Sequence, residues 1–551
     1  MTRSAPPREP TSRRTSVVSS TSSERTCAAP ARSSARPTGT AHAHSERVSR
    51  SSARNHARNI RDDTRFVTVS SEDLAGLPED YRRAHPAGQD GTVRISTNPP
   101  DMQPFMTYSQ SAKARRALAR ESADRAPGNV DVLRDLTRTR HELATLLGYP
   151  TWAHYLVEDR MVATPEALAR FLDEIEEVAI ASERAEVEEL LAEKRRDDPS
   201  ATTIGVWEQL FYANRVRARR FRYDAQEVRP YLEYRRVRQA ILDLASELFG
   251  MTFRPVVHEE RWHPSVESFD VTIDGEAAGR ISLDMHPREG KNKWFFNAPI
   301  ALGVRGRQAP HTVLCCNFPD PASVNGPALM EHAQVVTYFH EFGHLVHGLA
   351  RRDVRFVRLS RTEGDFMEAP STFLEEWIYD HSVLSRFARH VTTGEAIPEG
   401  LVARLRAARD FGRGIRVREG LLKGARLSLA LHDGTRPGAD PRAISEELDR
   451  RYSLLEPIGG TSWPAAWEHM NGDHYSAGYY TYLWSNAIAK DLHTAFGDDL
   501  MDLATARRYR DRILAPGGTK PAADLVRDFL GRPYDLRAFK EWLAPRPEPA
   551  A

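Results

Sequence analysis

The chain has 551 residues, of which 40% are hydrophobic and 28% charged, and its formal net charge at pH 7 is +1. A chain of this length can bury a large core and would ordinarily form two or more domains or lobes. No apolar run reaches ~18 residues, so the sequence predicts no membrane span.

The charge is unevenly distributed along the chain. Residues 1–60 carry eleven Arg and three Glu but neither Lys nor Asp, so the remainder is net acidic and has no basic bias for nucleic acid. Residues 1–65 are rich in Ser, Arg, Thr, Ala and Pro and almost lack large apolar side chains, which predicts a disordered tail. Three interpretations of the tail stay open: a dispensable segment or upstream start, a targeting sequence, or a basic contact arm.

Cysteine usage bears on the compartment. Adjacent Cys315 and Cys316 rarely bridge, and Cys27 lies in the tail, so no disulfide framework is expected. The N-terminus shows no apolar region of a secretory signal. We therefore predict a cytoplasmic protein, with an organellar location as the alternative if the Arg- and Ser-rich start is a transit peptide.

Helical periodicity dominates the chain after the tail. It is found around residues 109–126, 131–148, 164–197, 204–221 and 231–250, and again around 399–433, 442–455, 477–496, 500–514, 521–530 and 535–543. We assign residues 66–250 to a helical lobe and 251–551 to a second lobe. Between the two sets of helices, Asp274-Gly275 predicts a β-hairpin and HTVLCCNF a further strand. The sheet edge could accept a peptide as an added strand, or the sheet could only pack the core.

The run from residue 328 to 350 has apolar residues at helical spacing and predicts a buried helix. On it, His340 and His344 lie four residues apart on one face, so both imidazoles can reach one metal ion. Glu341 lies beside that face and could take a proton from zinc-bound water. Gly343 costs about 1 kcal/mol of helix propensity and would let another element pack close.

A catalytic zinc needs a third protein ligand. Glu368 follows His344 after 23 intervening residues and opens the helical segment EAPSTFLEEWIYD, which is the gluzincin arrangement. The metzincin pattern fails, because His347 and Ala350 stand where Gly and His are required. His347 is seven residues from His340, so we predict a structural polar contact for it. A chance HExxH on a core helix is disfavoured by this downstream motif.

A third motif lies further on: His469, followed by YSAGYYTYLW from Tyr475 to Trp484. Three motifs resemble, in this order, those of the thimet oligopeptidase family of zinc metallopeptidases: FHEFGHLVHGL, DFMEAPSTFLEEW and this last segment. That family also holds oligopeptidase A and dipeptidyl carboxypeptidase. The resemblance extends upstream, weakly, to about residue 67. It implies a mostly α, gluzincin-type, two-lobed architecture around a deep substrate channel, with a small β-sheet next to the active-site helix.

Zinc held by His340, His344 and Glu368, one ion per chain, would lower the pKa of a bound water toward ~7. Glu341 would accept the proton as general base and deliver it to the leaving amine. Glu375 lies seven residues after Glu368, so it could accept a hydrogen bond from a ligand imidazole.

Asp365 and Glu376 are alternatives to Glu375 for that supporting contact.

The tetrahedral intermediate of peptide hydrolysis carries an oxyanion, which needs a further hydrogen-bond donor. Tyrosine hydroxyls are suitable donors.

Tyr475, Tyr479 and Tyr482 fall on one side of the predicted 477–496 helix segment, at spacings of four and three residues. The resemblance implies that Tyr475 and Tyr482 stabilise the transition state and that His469 contacts the substrate. Tyr479 and His474 are further candidates for substrate binding. Without the resemblance, such a stripe would be interpreted as core packing.

Two features depart from the family. The chain is shorter at its N-terminal helical lobe, which leaves open whether substrates are restricted to short peptides. The loop before Tyr475 reads Gly472-Asp473-His474, where the family has more glycine, so Asp473 or His474 could contact substrate directly.

We predict a monomeric zinc-dependent oligopeptidase that cleaves internal bonds of short peptides, with neither nucleic acid nor membrane as partner. One alternative is a peptidyl-dipeptidase, which needs a cationic or hydroxyl clamp for the C-terminal carboxylate. The other is a non-hydrolytic zinc-containing peptide-binding protein, against which the set Glu341, Tyr475 and Tyr482 argues.

Overall fold

A computed structural model describes residues 39–257, 261–351 and 361–545. The helices are α1 (Gly39–Asp62), α2 (Glu79–Ala84), α3 (Pro99–Tyr108), α4 (Ala112–Ala123), α5 (Asn129–Leu146), α6 (Trp152–Val157), α7 (Pro165–Lys194), α8 (Gln209–Phe221), α9 (Ala225–Val228), α10 (Tyr234–Phe249), α11 (His332–Ala350), α12 (Ala369–Leu374), α13 (His381–Phe387), α14 (Glu399–Arg409), α15 (Arg413–Ile415), α16 (Lys423–Ala430), α17 (Pro441–Tyr452), α18 (Asp473–Ser476), α19 (Thr481–His493), α20 (Leu503–Tyr509), α21 (Ala522–Leu530) and α22 (Arg537–Leu543). The strands are β1 (Phe66–Ser70), β2 (Thr92–Ser96), β3 (Met251–Pro255), β4 (Glu267–Ile273), β5 (Glu276–Asp284), β6 (Phe296–Ala301) and β7 (His311–Cys315). This mostly helical fold with small sheets confirms the predicted class.

The longest of the described helices, α7, begins where its sequence signals predict. The Thr164 side chain accepts a hydrogen bond from the Ala167 backbone N–H, and Pro165 occupies the first helical turn. Gly250, at φ +66°, ends α10 in the left-handed conformation that glycine adopts at least cost. Over the part of the chain that the structure describes, no helix is both long and apolar enough to cross a membrane.

The prediction of disorder over residues 1–65 is wrong for residues 39–62, which form α1 and pack against α5. His56 and Ile60 are buried, and the Asn59 side-chain amide donates to Asn129 Oδ1 at 2.8 Å. Arg and Ala are strong helix formers, and docking on α5 needs only a narrow apolar stripe, so low apolar content does not exclude order. Residues 1–38 lie outside the described residues.

The larger sheet has the strand order β3-β4-β5-β7-β6. Asp274 and Gly275, at φ +51° and +86°, form the tight turn of the predicted β4–β5 hairpin, which is confirmed. β5 and β7 are parallel, and β6 is an edge strand antiparallel to β7. The side of this sheet that faces α11 shares one hydrophobic core with α10. One hydrophobic core therefore includes residues on both sides of residue 250. The division into two lobes at that residue stays a prediction.

α11 begins at His332, four residues later than the apolar pattern predicts. A capping box fixes this start: the Glu331 side chain accepts from the backbone of the first turn, and Gln334 Oε1 accepts from the Glu331 backbone N–H at 3.0 Å. At Gly343 a Cβ would lie 2.7 Å from Pro370 O and from Ser371 Cα, so α12 crosses α11 in direct backbone contact there. This close approach confirms the role expected of the glycine.

Candidate active site

The crossing of α11 and α12 brings the three predicted metal ligands together. His340 Nε2 and His344 Nε2 lie 3.2 Å and 3.0 Å from Glu368 Oε2. Glu368 is only 2% exposed and occupies the residue before α12. Ligands ~2.0–2.1 Å from a tetrahedral zinc are roughly 3.3 Å apart, so two imidazoles and a carboxylate at this spacing fit that ion.

Glu375 contacts the imidazole of one of the candidate metal ligands. His340 Nδ1 lies 2.8 Å from Glu375 Oε1, so Nδ1 donates and Nε2 is left to bind metal. Asp365 does not share this position: its carboxylate accepts from the backbone N–H groups of Met161 and Val162, at 2.9 Å and 3.0 Å. Tyr480 OH donates to the same carboxylate at 3.0 Å, so among the described residues Asp365 is bound to partners other than His340 and His344, and the predicted contact with a candidate ligand histidine is not formed.

Glu376, the other alternative, is engaged elsewhere. Its carboxylate pairs with Arg409 and with Lys490 Nζ at 2.6 Å. His347 also makes a structural contact, because Arg351 Nη2 donates to its Nδ1 at 2.8 Å. Of the three candidate carboxylates, the structure therefore places Glu375 next to a candidate metal ligand, His340.

Glu341 lies on the wall of the site beside the two imidazoles and is 8% exposed. Burial raises the pKa of Glu341 above its usual range, although the neighbouring His340 and His344 act in the opposite direction. A carboxylate with a raised pKa holds a transferred proton more readily, which suits general acid–base chemistry.

Two tyrosines and a histidine converge on Glu368. Tyr475 OH donates to Glu368 Oε1 at 2.6 Å, and its ring stacks on that of Tyr482 with 5.4 Å between centroids. Tyr482 OH lies 3.2 Å from His469 Nε2. Burial raises the pKa of both phenols, so they remain donors at neutral pH. Burial lowers the pKa of His469 to about 4, against the attraction of Glu368, and the ring is neutral.

The tyrosine motif, by which we mean the segment from Tyr475 to Trp484, is not one continuous helix. Tyr475 lies on α18, and α19 starts only at Thr481, after a turn in which Gly478 packs against the His474 carbonyl. Tyr479 lies behind the other rings, with its ring centroid 4.6 Å from that of Trp467. The structure therefore does not bring Tyr479 to the cavity wall as it brings Tyr475 and Tyr482.

A cavity of about 1220 Å³ opens over the ligand residues. Its walls are α11, the edge strand β6, the tyrosine motif and a short segment between α6 and α7 that includes Arg160. Arg160 contacts His474, and Gly364 lies beneath both side chains. Sequence reasoning missed Arg160 and Gly364, because nothing in the local patterns EDRMVAT and TEGDF marks a contact with the loop at His474, which is distant from both in the sequence.

A buried HExxH helix, a glutamate returned by a crossing helix and an enclosing cavity define a gluzincin-type metallopeptidase. Residues 105–544 match the profile of peptidase family M3, and the chain belongs to that family. It is a metalloendopeptidase, as the resemblance of its three motifs predicts.

Individual proteins show the same relationship. Saccharolysin of Saccharomyces cerevisiae is 28% identical over 520 residues, which cover 88% of this chain and 72% of that protein. Oligopeptidase A of Escherichia coli is 29% identical over 503 residues, covering 87% and 73% of the two chains. A solved structure of PZ peptidase A with an inhibitor has a TM-score of 0.54 at 11% identity, covering 92% of this chain and 76% of that one, and shows likeness of fold alone.

Proposed function

We propose that this chain is a zinc-dependent oligopeptidase that hydrolyses internal bonds of short peptides. The observation that carries the proposal is the convergence of His340, His344 and Glu368 within 4.8 Å of one another at the floor of the large cavity. Glu341 and the tyrosine motif line the same cavity, so a base and hydrogen-bond donors surround the position that a scissile peptide bond would occupy.

Zinc bound to the three ligands would supply a Lewis acid and an activated water. Glu341 takes the proton of the attacking water and transfers it to the leaving amine. Tyr482 donates to the developing oxyanion, an interaction worth ~3–4 kcal/mol. Tyr475 also faces the substrate, but its hydroxyl now donates to Glu368, so it must leave that oxygen before it reaches the oxyanion.

The cavity is suited to an extended peptide. Its volume of about 1220 Å³ exceeds the ~300–1,000 Å³ typical of small-molecule sites. Phe296, Asn297 and Pro299 of the edge strand β6 line the wall. A peptide can therefore bind alongside β6 as an added strand, with main-chain hydrogen bonds that do not depend on its sequence.

A second candidate, the peptidyl-dipeptidase, draws support from the cations on the cavity wall. Arg351, Arg361 and Lys520 line the same cavity as the metal ligands and could hold a C-terminal carboxylate. Peptides with free and amidated C-termini separate the two functions. Equal cleavage of both supports the oligopeptidase, whereas cleavage of the free acids alone, with release of dipeptides, supports the peptidyl-dipeptidase.

The test of the proposal is a pool of peptides of mixed length, incubated with wild type and with Glu341→Gln, with and without chelator. We expect internal cleavage by zinc-loaded wild type, no cleavage by Glu341→Gln, and equal zinc content in the two proteins. Wild type and variant that are equally inert would refute hydrolysis and leave the peptide-binding alternative. Action as a monomer in the cytoplasm stays a prediction.

A further inference from the structure

The imidazole of His474 has a fixed proton position. His474 lines the cavity and precedes Tyr475, whose ring it meets edge-on at 4.6 Å between centroids. Nη1 and Nη2 of Arg160 both lie 3.2 Å from His474 Nδ1. A guanidinium can only donate, so Nδ1 must be the acceptor. A neutral imidazole that accepts at Nδ1 carries its proton on Nε2.

The proton on Nε2 has no acceptor among the residues that the structure describes. Nε2 of His474 is buried and lacks a hydrogen-bond partner there. Burial and the charge of Arg160 lower the pKa of His474 to about 4, so the ring is neutral at neutral pH. A buried donor without an acceptor is unfavourable, and a bound molecule that brings an acceptor relieves this cost.

Arg160 is itself held in place by the loop that leads to the metal ligand Glu368. The backbone N–H groups of Met161 and Val162 donate to Asp365, which fixes the chain on the C-terminal side of Arg160. A Cβ at Gly364 would overlap the Arg160 guanidinium in its observed position, so the guanidinium packs directly on the glycine. The arginine is thus enclosed between two segments and is not a freely moving surface side chain.

We propose that His474 Nε2–H donates a hydrogen bond to a main-chain oxygen of the bound peptide, and that Arg160 is the positioning residue that selects this tautomer. The inference rests on the proposed peptidase function, since it names the substrate group that the cavity recognises. The acceptor is an internal carbonyl or the C-terminal carboxylate, and the contact therefore does not depend on the substrate's side chains.

Binding is measured as the Kd of a short peptide on zinc-loaded Glu341→Gln protein, in which turnover is removed. Arg160→Met, added to this background, is expected to weaken binding on the order of 3- to 10-fold, because Nδ1 is no longer held as an acceptor. Arg160→Lys is the matched control: an ammonium also only donates, so affinity is retained. An equal loss for free and amidated peptides assigns the acceptor to an internal carbonyl, and a loss confined to free acids assigns it to the carboxylate.

The tautomer itself is read by long-range ¹H–¹⁵N correlation on protein with ¹⁵N-labelled histidine. The His474 signals are identified by their loss in His474→Gln. We expect the Nε2–H form in wild type and in Arg160→Lys, and a mixture of both forms in Arg160→Met.

A wild-type ring protonated on Nδ1, or a folded Arg160→Met with unchanged Kd, would overturn the inference. Should Arg160→Met not fold, His474→Ala and His474→Gln decide, because the Gln amide can replace Nε2–H and Ala cannot; equal affinities would overturn it. Failure of wild type to hydrolyse any peptide would refute the proposed function separately, since Kd and tautomer do not require turnover.

Discussion

Gly343 sets helix propensity against packing, and its replacement by alanine tests which of the two dominates. An alanine inside a helix is favoured over glycine by about 1 kcal/mol. The new Cβ, however, would lie 2.7 Å from Pro370 O and from Ser371 Cα, and backbone atoms cannot turn aside as a side chain can. Overpacking of this kind typically costs 1–3 kcal/mol. After the gain of about 1 kcal/mol in helix propensity, we expect Gly343→Ala to lower the free energy of unfolding by up to ~2 kcal/mol.

The same change should reach the metal, because Pro370 lies two residues beyond Glu368. A shift of α12 away from α11 moves the carboxylate from the imidazoles, and we expect zinc affinity to fall on the order of 10-fold. Urea unfolding of apo and zinc-loaded protein gives the stability, and competition with a chelator gives the affinity.

Gly348→Ala provides the control on the same helix. A Cβ there would meet only Thr312 Oγ1, at 4.0 Å, which is an ordinary contact. We expect this variant to gain roughly 0.5–1 kcal/mol and to keep its zinc affinity. If Gly343→Ala were as stable as Gly348→Ala and bound zinc equally well, the close-approach argument would be refuted.

Three further outcomes follow from contacts at and near the site. Glu375→Ala removes the acceptor of His340 Nδ1, and chelator competition should show a ~10–100-fold loss of zinc affinity in a folded protein; an unchanged affinity would contradict the orienting role. Tyr482→Phe should lower kcat by roughly 10²–10³-fold with little change in KM, whereas a pure KM effect would speak against oxyanion stabilisation. Although burial opposes it, the neighbouring Lys490 and Arg409 hold the pKa of Glu376 well below its usual range, so its stabilising contribution is complete above pH ~4.3 and is lost as pH falls below that value. Urea titrations at several pH values should show that the free energy of unfolding falls less steeply in acid for Glu376→Gln than for wild type. At pH 7 this variant should have a free energy of unfolding about 3 kcal/mol lower than wild type. Parallel pH profiles of the two proteins would count against the pairing.

Local regularities allowed much of the site to be predicted. A helix places His340 and His344 on one face whatever surrounds it, and the seven-residue spacing carried Glu375 to the correct side of Glu368. Gly343, between the two histidines, predicted the close approach of another element, which the structure shows to be α12. Each of these inferences depends on residues within a few turns of one another.

The predictions that were wrong concern features that depend on contacts between segments distant in the sequence. Order in α1 comes from docking on α5, which composition does not reveal. Asp365 sits near the ligand motif in sequence, yet its acceptors are taken by amides from the other half of the chain. The break in the tyrosine motif follows from Gly478 packing against the His474 carbonyl, so helical spacing alone misplaced Tyr479.

Asp365 joins the chain between α6 and α7 to the segment that carries Glu368, three residues on. Tyr480 OH, at 3.0 Å, adds the tyrosine motif to the same carboxylate. Under the proposed function, zinc binding would therefore be thermodynamically linked to the folding of the segment between α6 and α7, so that each stabilises the other. Removing zinc should increase amide hydrogen exchange in α6 and α7, neither of which supplies a ligand.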